Sequence, residues 1–154
     1  MNIDIWYFGR KPSAELCTLI QDYEKRLSKY LKINWISLPK LTESDPFKLK
    51  NAETELVLQK IKPNLKLFVL TENGKPYNSQ NFSELLENNL NSSMNKIIFL
   101  IGGSYGVNEN LIPASATLIS LSSLTFPHQL VKLILIEQIY RSMMILKGSP
   151  YHHE

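Results

Sequence analysis

The chain has 154 residues, 44% of them apolar and 20% charged, with a formal net charge of +3. That is enough chain to bury a core as one domain spanning 1–154, and the single cysteine, Cys17, excludes an intrachain disulfide and a cysteine-based metal cluster. No apolar run approaches the ~18 residues of a membrane span, and the opening Met1 to Trp6 carries Asp4 within its apolar run and lacks a basic leader, so it reads as neither signal nor transit peptide and a cytoplasmic protein is expected.

Residues 2–8 (NIDIWYF) read as a strand, broken by Gly9, Lys11 and Pro12. Ser13 is a suitable N-cap for a helix to about Leu31, with Leu16, Leu19, Ile20, Tyr23 and Leu27 on one face. Cys17 falls in that apolar-periodic stretch and reads as a packing residue. Residues 33–38 alternate as a strand, and 46–60 form a second helix with Leu49, Ala52, Leu56 and Val57 as its stripe. Residues 65–70 (LKLFVL) are a third strand, Asn73-Gly74 marks a turn, and Asn78 or Ser79 caps a helix ending near Leu90. Residues 96–101 (KIIFLI) form a continuous apolar strand of the kind buried on both faces of a parallel sheet. A short helix over 109–115, a strand at 117–120, a loop at 121–126 and a helix from Pro127 to about Leu146 complete the chain. The strand and helix alternation predicts an α/β fold, a parallel sheet with helices on both faces.

The last helix carries apolar residues on nearly every side, among them Leu130, Leu133, Ile134, Ile136, Ile139, Met143 and Ile145. Such a helix must be covered all round. A homodimer packed through it is the simplest cover, and a central buried helix is the competing reading. Residues 1–62 hold 11 Lys/Arg against 8 Asp/Glu, while 63–154 hold 6 of each, so the basic excess lies in the first half. Lys25, Arg26, Lys29 and Lys32 cluster on the first helix and its end, either as a solvated face or as a nucleic-acid contact.

Ligands of open α/β sheets bind beyond the carboxyl ends of the strands. Three ends are unusual here: Leu70-Thr71, Gly102-Gly103, and Leu121-Ser122-Ser123-Leu124-Thr125-Phe126, whose donors, hydroxyls and apolar groups suit an adenine and ribose. The glycine segment reads G-G-x-x-G, which is neither a dinucleotide fingerprint nor a Walker motif, and alone fits a tight turn equally well. His128 follows the proposed ligand loop at a helix N-terminus, whose field favours a neutral imidazole able to accept a proton; a capping role competes. Glu137 and Arg141 stand four apart, the spacing of an ordinary helix ion pair. Tyr151, His152 and His153 close the chain with an unusual density of aromatic and titratable groups, and no metal-ligand spacing is present, so no metal is expected.

Several segments then act together. They are Phe99-Leu100-Ile101-Gly102-Gly103-Ser104-Tyr105-Gly106, Leu121 through Gln129, Leu135-Ile136-Glu137-Gln138-Ile139-Tyr140-Arg141 and the closing Pro150-Tyr151-His152, with Leu70 and Gly74-Lys75-Pro76 also fitting. In order, spacing and position the whole chain resembles the ribosomal RNA large-subunit methyltransferase H family of the SPOUT superfamily. The resemblance implies a C-terminal trefoil knot, which general fold rules would not suggest. It implies an S-adenosyl-L-methionine site from Leu70, Gly102 and the loop of Leu121, Ser122, Ser123, Leu124, Thr125 and Phe126, and a homodimer through the final helix. It also implies methylation of ring nitrogen 3 of a pseudouridine in 23S rRNA on the assembled ribosome. His128, Tyr151 and His152 are then the candidates for accepting or guiding the proton, and Arg141 for stabilising negative charge or holding a phosphate. Many family members carry Arg or Lys at or near His153, so a fixed charge is replaced here by an imidazole. Competing functions are a non-catalytic ribosome- or RNA-binding relative and a methyltransferase acting on another RNA such as tRNA.

Overall fold

A computed structural model describes residues 2–92 and 96–153. Five strands, β1 (Asn2–Tyr7), β2 (Lys32–Ser37), β3 (Leu65–Pro76), β4 (Lys96–Ile101) and β5 (Thr117–Ser120), form one sheet in the order β2-β1-β4-β3-β5, every pairing parallel. Four helices connect and cover them: α1 (Ala14–Leu27), α2 (Pro46–Lys60), α3 (Ser79–Leu90) and α4 (His128–Leu146). This is the α/β architecture the alternation predicts. β4 is central, and its apolar run is buried from Ile97 to Ile101, as a strand covered on both faces requires.

The pleat sorts its side chains between two cores. Ile3, Ile5, Tyr7, Phe68, Ile97, Phe99 and Ile101 face α1, α3 and α4, with the Phe68 and Phe99 rings stacked at 5.1 Å. Trp6, Leu67, Val69, Ile98 and Leu100 point the other way, against Val57 and Leu56 of α2. The one charge within the β1 apolar run, Asp4, is 4% exposed and compensated: Lys96 Nζ lies 2.8 Å away and Asn34 donates at 2.9 Å.

Local capping sets the helix starts. Ser13 accepts from Leu16 N, Asp45 from Lys48 N with Pro46 in the first turn, and Asn78 rather than Ser79 from Asn81 N. Three boundaries differ from expectation. α1 stops at Leu27, because Ser28 bonds the Glu24 and Lys25 carbonyls and the chain turns into β2; Leu31 stays apolar and buried as the plug beneath that turn. Asn73-Gly74 is no strand-ending turn: β3 pairs Ile119 at Leu70 and again at Lys75, so the register shifts through a bulge in a continuing strand, with Gly74 close against the Ile119 backbone. The helix expected over 109–115 shrinks to a 3-10 turn, Glu109–Leu111, since Ile112 precedes Pro113 and is extended.

α4 lies on the sheet between α1 and α3. No residue from Gln129 to Leu146 is exposed, so one chain covers most of this apolar helix by itself. Leu130, Leu133, Ile134, Tyr140 and Ile145 remain half-covered.

Candidate active site

The three strand ends picked out in the sequence converge. Leu70 to Asn73 from β3, Ile101 to Val107 from β4, and most of the 121–126 loop after β5 line a single open cavity of about 420 Å³. That volume lies within the ~300–1,000 Å³ of small-ligand sites. Leu121, Ser122, Leu124, Thr125 and Phe126 line it, whereas Ser123 is exposed and does not. The loop is held by its own hydroxyls: Ser120 Oγ donates to the Ser122 carbonyl at 2.9 Å, and Leu124 N donates to Ser122 Oγ at 2.9 Å. Thr125 donates to Glu72 at 2.8 Å, tying this loop to the β3 bulge.

Both glycines of the β4 end are buried, and backbone leaves no space for a side chain at Gly102. A Cβ on Gly102 would lie 2.9 Å from the Gly106 carbonyl carbon, and one on Gly103 would run into the Glu53 carboxyl. Gly106 N donates to the Gly103 carbonyl at 2.9 Å, closing a tight turn through Ser104 and Tyr105 that needs the positive φ of 72° at Gly106. The segment is therefore both a turn and a cavity wall whose backbone is open to a ligand.

His128 stands on the cavity edge as the first residue of α4. Desolvation, then the nearby Lys132 charge, lowers its pKa, and contact with the Gly102 backbone acts in the opposite direction. The result is a neutral imidazole at neutral pH, a competent proton acceptor.

Arg141, Tyr151 and His152 form a second cluster, away from the cavity within one chain. Arg141 stands thirteen positions after His128 along α4, about 20 Å at the helical rise. Glu137 grips Arg141 through Nε at 3.0 Å and Nη2 at 2.6 Å, so the spacing does carry an ion pair. Arg141 Nη1 lies 3.3 Å from His152 Nδ1, and only the arginine can donate, which leaves the imidazole proton on Nε2. Tyr151 OH donates to Glu137 at 3.2 Å, and its ring sits beneath the Arg141 guanidinium at 4.8 Å and edge-on to Tyr140 at 4.9 Å. Burial, with Tyr23 and Glu137 close by, pushes the Tyr151 phenol well above its usual range. The tail is thus folded onto α4, while His153 is exposed.

Lys50, Glu72, Asn73 and Glu109 also line the cavity, and sequence reasoning did not single them out. Glu109 accepts from Thr71 and, at 3.3 Å, from Asn73. The bulge residues were legible in principle, as the chain immediately beyond a strand end; Lys50 comes from the helix on the other sheet face and had no local signal. Among the described residues no three His, Cys, Asp or Glu side chains are grouped as a metal would need, and no helix is long and apolar enough to cross a membrane.

Comparison with known proteins adds an independent line. A family model described as "Predicted SPOUT methyltransferase" matches residues 1–152. Ribosomal RNA large subunit methyltransferase H of Flavobacterium johnsoniae is 41% identical, with all of both chains covered. The proteins of the same name from Enterococcus faecalis, 38% identical over 99% of each chain, and Bacteroides thetaiotaomicron, 34% identical over the full length of both, are similar to it as well. With sequence motifs, parallel fold and full-length kinship in agreement, the chain belongs to the SPOUT methyltransferases, in the family of the ribosomal RNA large subunit methyltransferases H.

Proposed function

We propose that the protein transfers a methyl group from S-adenosyl-L-methionine to ring nitrogen 3 of a pseudouridine in 23S rRNA, on the assembled ribosome in the cytoplasm. The observation that carries this reading is the convergence of three strand ends and His128 on one cavity. The residues present suit the methyl donor. The glycine wall of Gly102 and Gly103 leaves backbone groups open to a ligand, and Leu70, Leu121, Leu124 and Phe126 offer apolar surface to an adenine. Ser122 and Thr125 set the shape of the loop between them.

Bound S-adenosyl-L-methionine supplies an electrophilic methyl group on a sulfonium. The acceptor is an imide N–H, a poor nucleophile until it loses its proton, so the protein's task is alignment and proton removal. His128 accepts that proton as the new N–CH3 bond forms. Arg141, anchored by Glu137, stabilises the developing negative charge or holds an RNA phosphate through its remaining N–H groups. Tyr151 and His152 position it.

Two clusters about 20 Å apart in one chain belong to one reaction if a homodimer brings the tail of one subunit to the cavity of the other. The half-covered stripe of Leu130, Leu133, Ile134 and Tyr140 on α4 supports such a contact. The C-terminal knot belongs to the same reading: after β5 the chain returns to the β1–α1 loop, where Gln129 accepts from Ser13 N at 2.9 Å and Lys132 donates to the Arg10 carbonyl at 2.9 Å.

Incubation with isotopically labelled S-adenosyl-L-methionine and ribosomes lacking the modification tests the function. Label on a 23S rRNA pseudouridine is expected. Label on tRNA alone would move the substrate, and cofactor binding without transfer to any RNA would leave a binding protein.

A further inference from the structure

Glu53 plays no part in the reading above. It lies on α2, 8% exposed, and its Oε2 is buried without a hydrogen-bond partner among the described residues. None of the ion pairs among those residues involves it. Burial alone pushes its carboxyl up. An uncompensated buried acid is costly, so a purely structural position would favour an apolar side chain.

The backbone that carries the carboxyl is held in place. Thr54, beside it, donates to the Lys50 carbonyl at 2.7 Å and accepts from Asn108 N at 2.9 Å, while Asn51 accepts from the Asn108 amide at 2.6 Å. These bonds latch α2 to the chain just beyond the glycine turn. The Glu53 carboxyl lies against Gly103, where a Cβ on residue 103 would meet it. Gly103 also lines the cavity. A single glycine therefore touches both the buried acid and the ligand space.

We propose that Glu53 is a positioning residue whose negative field, acting through Gly103, makes the cavity prefer the sulfonium methyl donor to the neutral thioether left after transfer. The inference rests on the methyltransferase reading. Donor and product share adenine, ribose and amino-acid ends, and differ by one methyl group and one positive charge. Contacts to the shared parts cannot separate them, but a fixed negative charge near the sulfur can. Glu53 stands behind Gly103, and the titratable groups that line the cavity itself are Lys50, Glu72, Tyr105, Glu109 and the neutral His128. Glu72 is exposed and screened by water, and Glu109 is engaged by Thr71 and Asn73. Among these described acids only Glu53 is buried and unpartnered, where a charge acts through little solvent. A cation entering the cavity favours the ionised carboxyl, and transfer of the methyl removes that attraction and helps the product leave.

Calorimetric titration of S-adenosylmethionine and S-adenosylhomocysteine into the full-length wild type, Glu53→Gln and Glu53→Met tests this. Glutamine keeps the shape without the charge, and methionine removes the buried polar group as well, so at least one neutral variant should fold. In the variants the donor is expected to bind about three- to tenfold more weakly while product affinity moves less than about twofold, the scale of one charge interaction at intermediate dielectric. Equal losses for both compounds, or no change in either, would overturn the role of Glu53. A wild type that binds neither compound would instead sink the proposed function, and this inference with it.

Discussion

At His128 the decisive quantity is a protonation state. Its pKa lies below the ordinary 6.5 because desolvation and the Lys132 charge disfavour the imidazolium. A base in this position is active when neutral, so the methylation rate should rise with pH through an inflection below 6.5 and then level off. His128→Ala should remove that limb and lower the single-turnover rate by about 100-fold or more. A variant with the full rate and an unchanged profile would strip His128 of its role. Lys132 poses a different question. It is 1% exposed on α4, held by the Arg10 carbonyl and lying 3.5 Å over the Tyr7 ring, and burial brings its pKa down to about 8. In the unfolded chain it would titrate near ~10.4. Between those values the unfolded state holds a proton that the folded state has released, so stability rises with pH. Urea unfolding should show wild type gaining on the order of 1–3 kcal/mol relative to Lys132→Met from pH 8 to 10. A constant difference over that range would place the side chain's titration elsewhere.

Elements were legible where periodicity and caps agree. Ser13 and Asn78 each precede a helical pattern, and each accepts the expected backbone N–H, while the structure adds Asp45 as the cap of α2. The misread segments are those where tertiary pairing overrides local chemistry. Asn73-Gly74 has turn residues, yet β5 captures the chain on both sides of it. α1 shows how a charged surface divides. Arg26 is committed to Asp22 at 2.7 Å and to the Tyr23 and Tyr140 rings, whereas Lys25, Lys29 and Lys32 are exposed. Those three lysines are the group available to RNA phosphates. Their joint replacement by glutamate should weaken ribosome binding at least tenfold at low salt and flatten its salt dependence, with donor affinity unchanged. Unaltered ribosome affinity in a sedimentation assay would leave them a solvated face.

At the scale of the whole molecule the separation of cavity and tail sets the test of the proposed mechanism. If each working site joins the cavity of one subunit to the tail of its partner, two differently damaged subunits can rescue each other. A His128→Ala chain and a His152→Ala chain, each impaired alone, should regain up to about a quarter of the wild-type activity when mixed in equal amounts, because about half of the dimers are then heterodimers and one of the two sites in each is intact. No rescue in mixtures shown to exchange subunits would confine each site to one chain. The apolar surround of α4 says less about the dimer than its composition suggests, since α1, α3 and the sheet already cover most of it. Periodicity, caps and chain order were sufficient to read the parallel α/β fold, and the motifs at the strand ends were sufficient to read the family and most of the cavity wall, because these depend on residues close in sequence. The burial of Glu53 against Gly103, the inward Lys132, the place of Lys50 in the cavity and the distance between His128 and the tail depend on which helix packs on which sheet face. Those arrangements arise from contacts between residues far apart in the chain, and no local pattern encodes them.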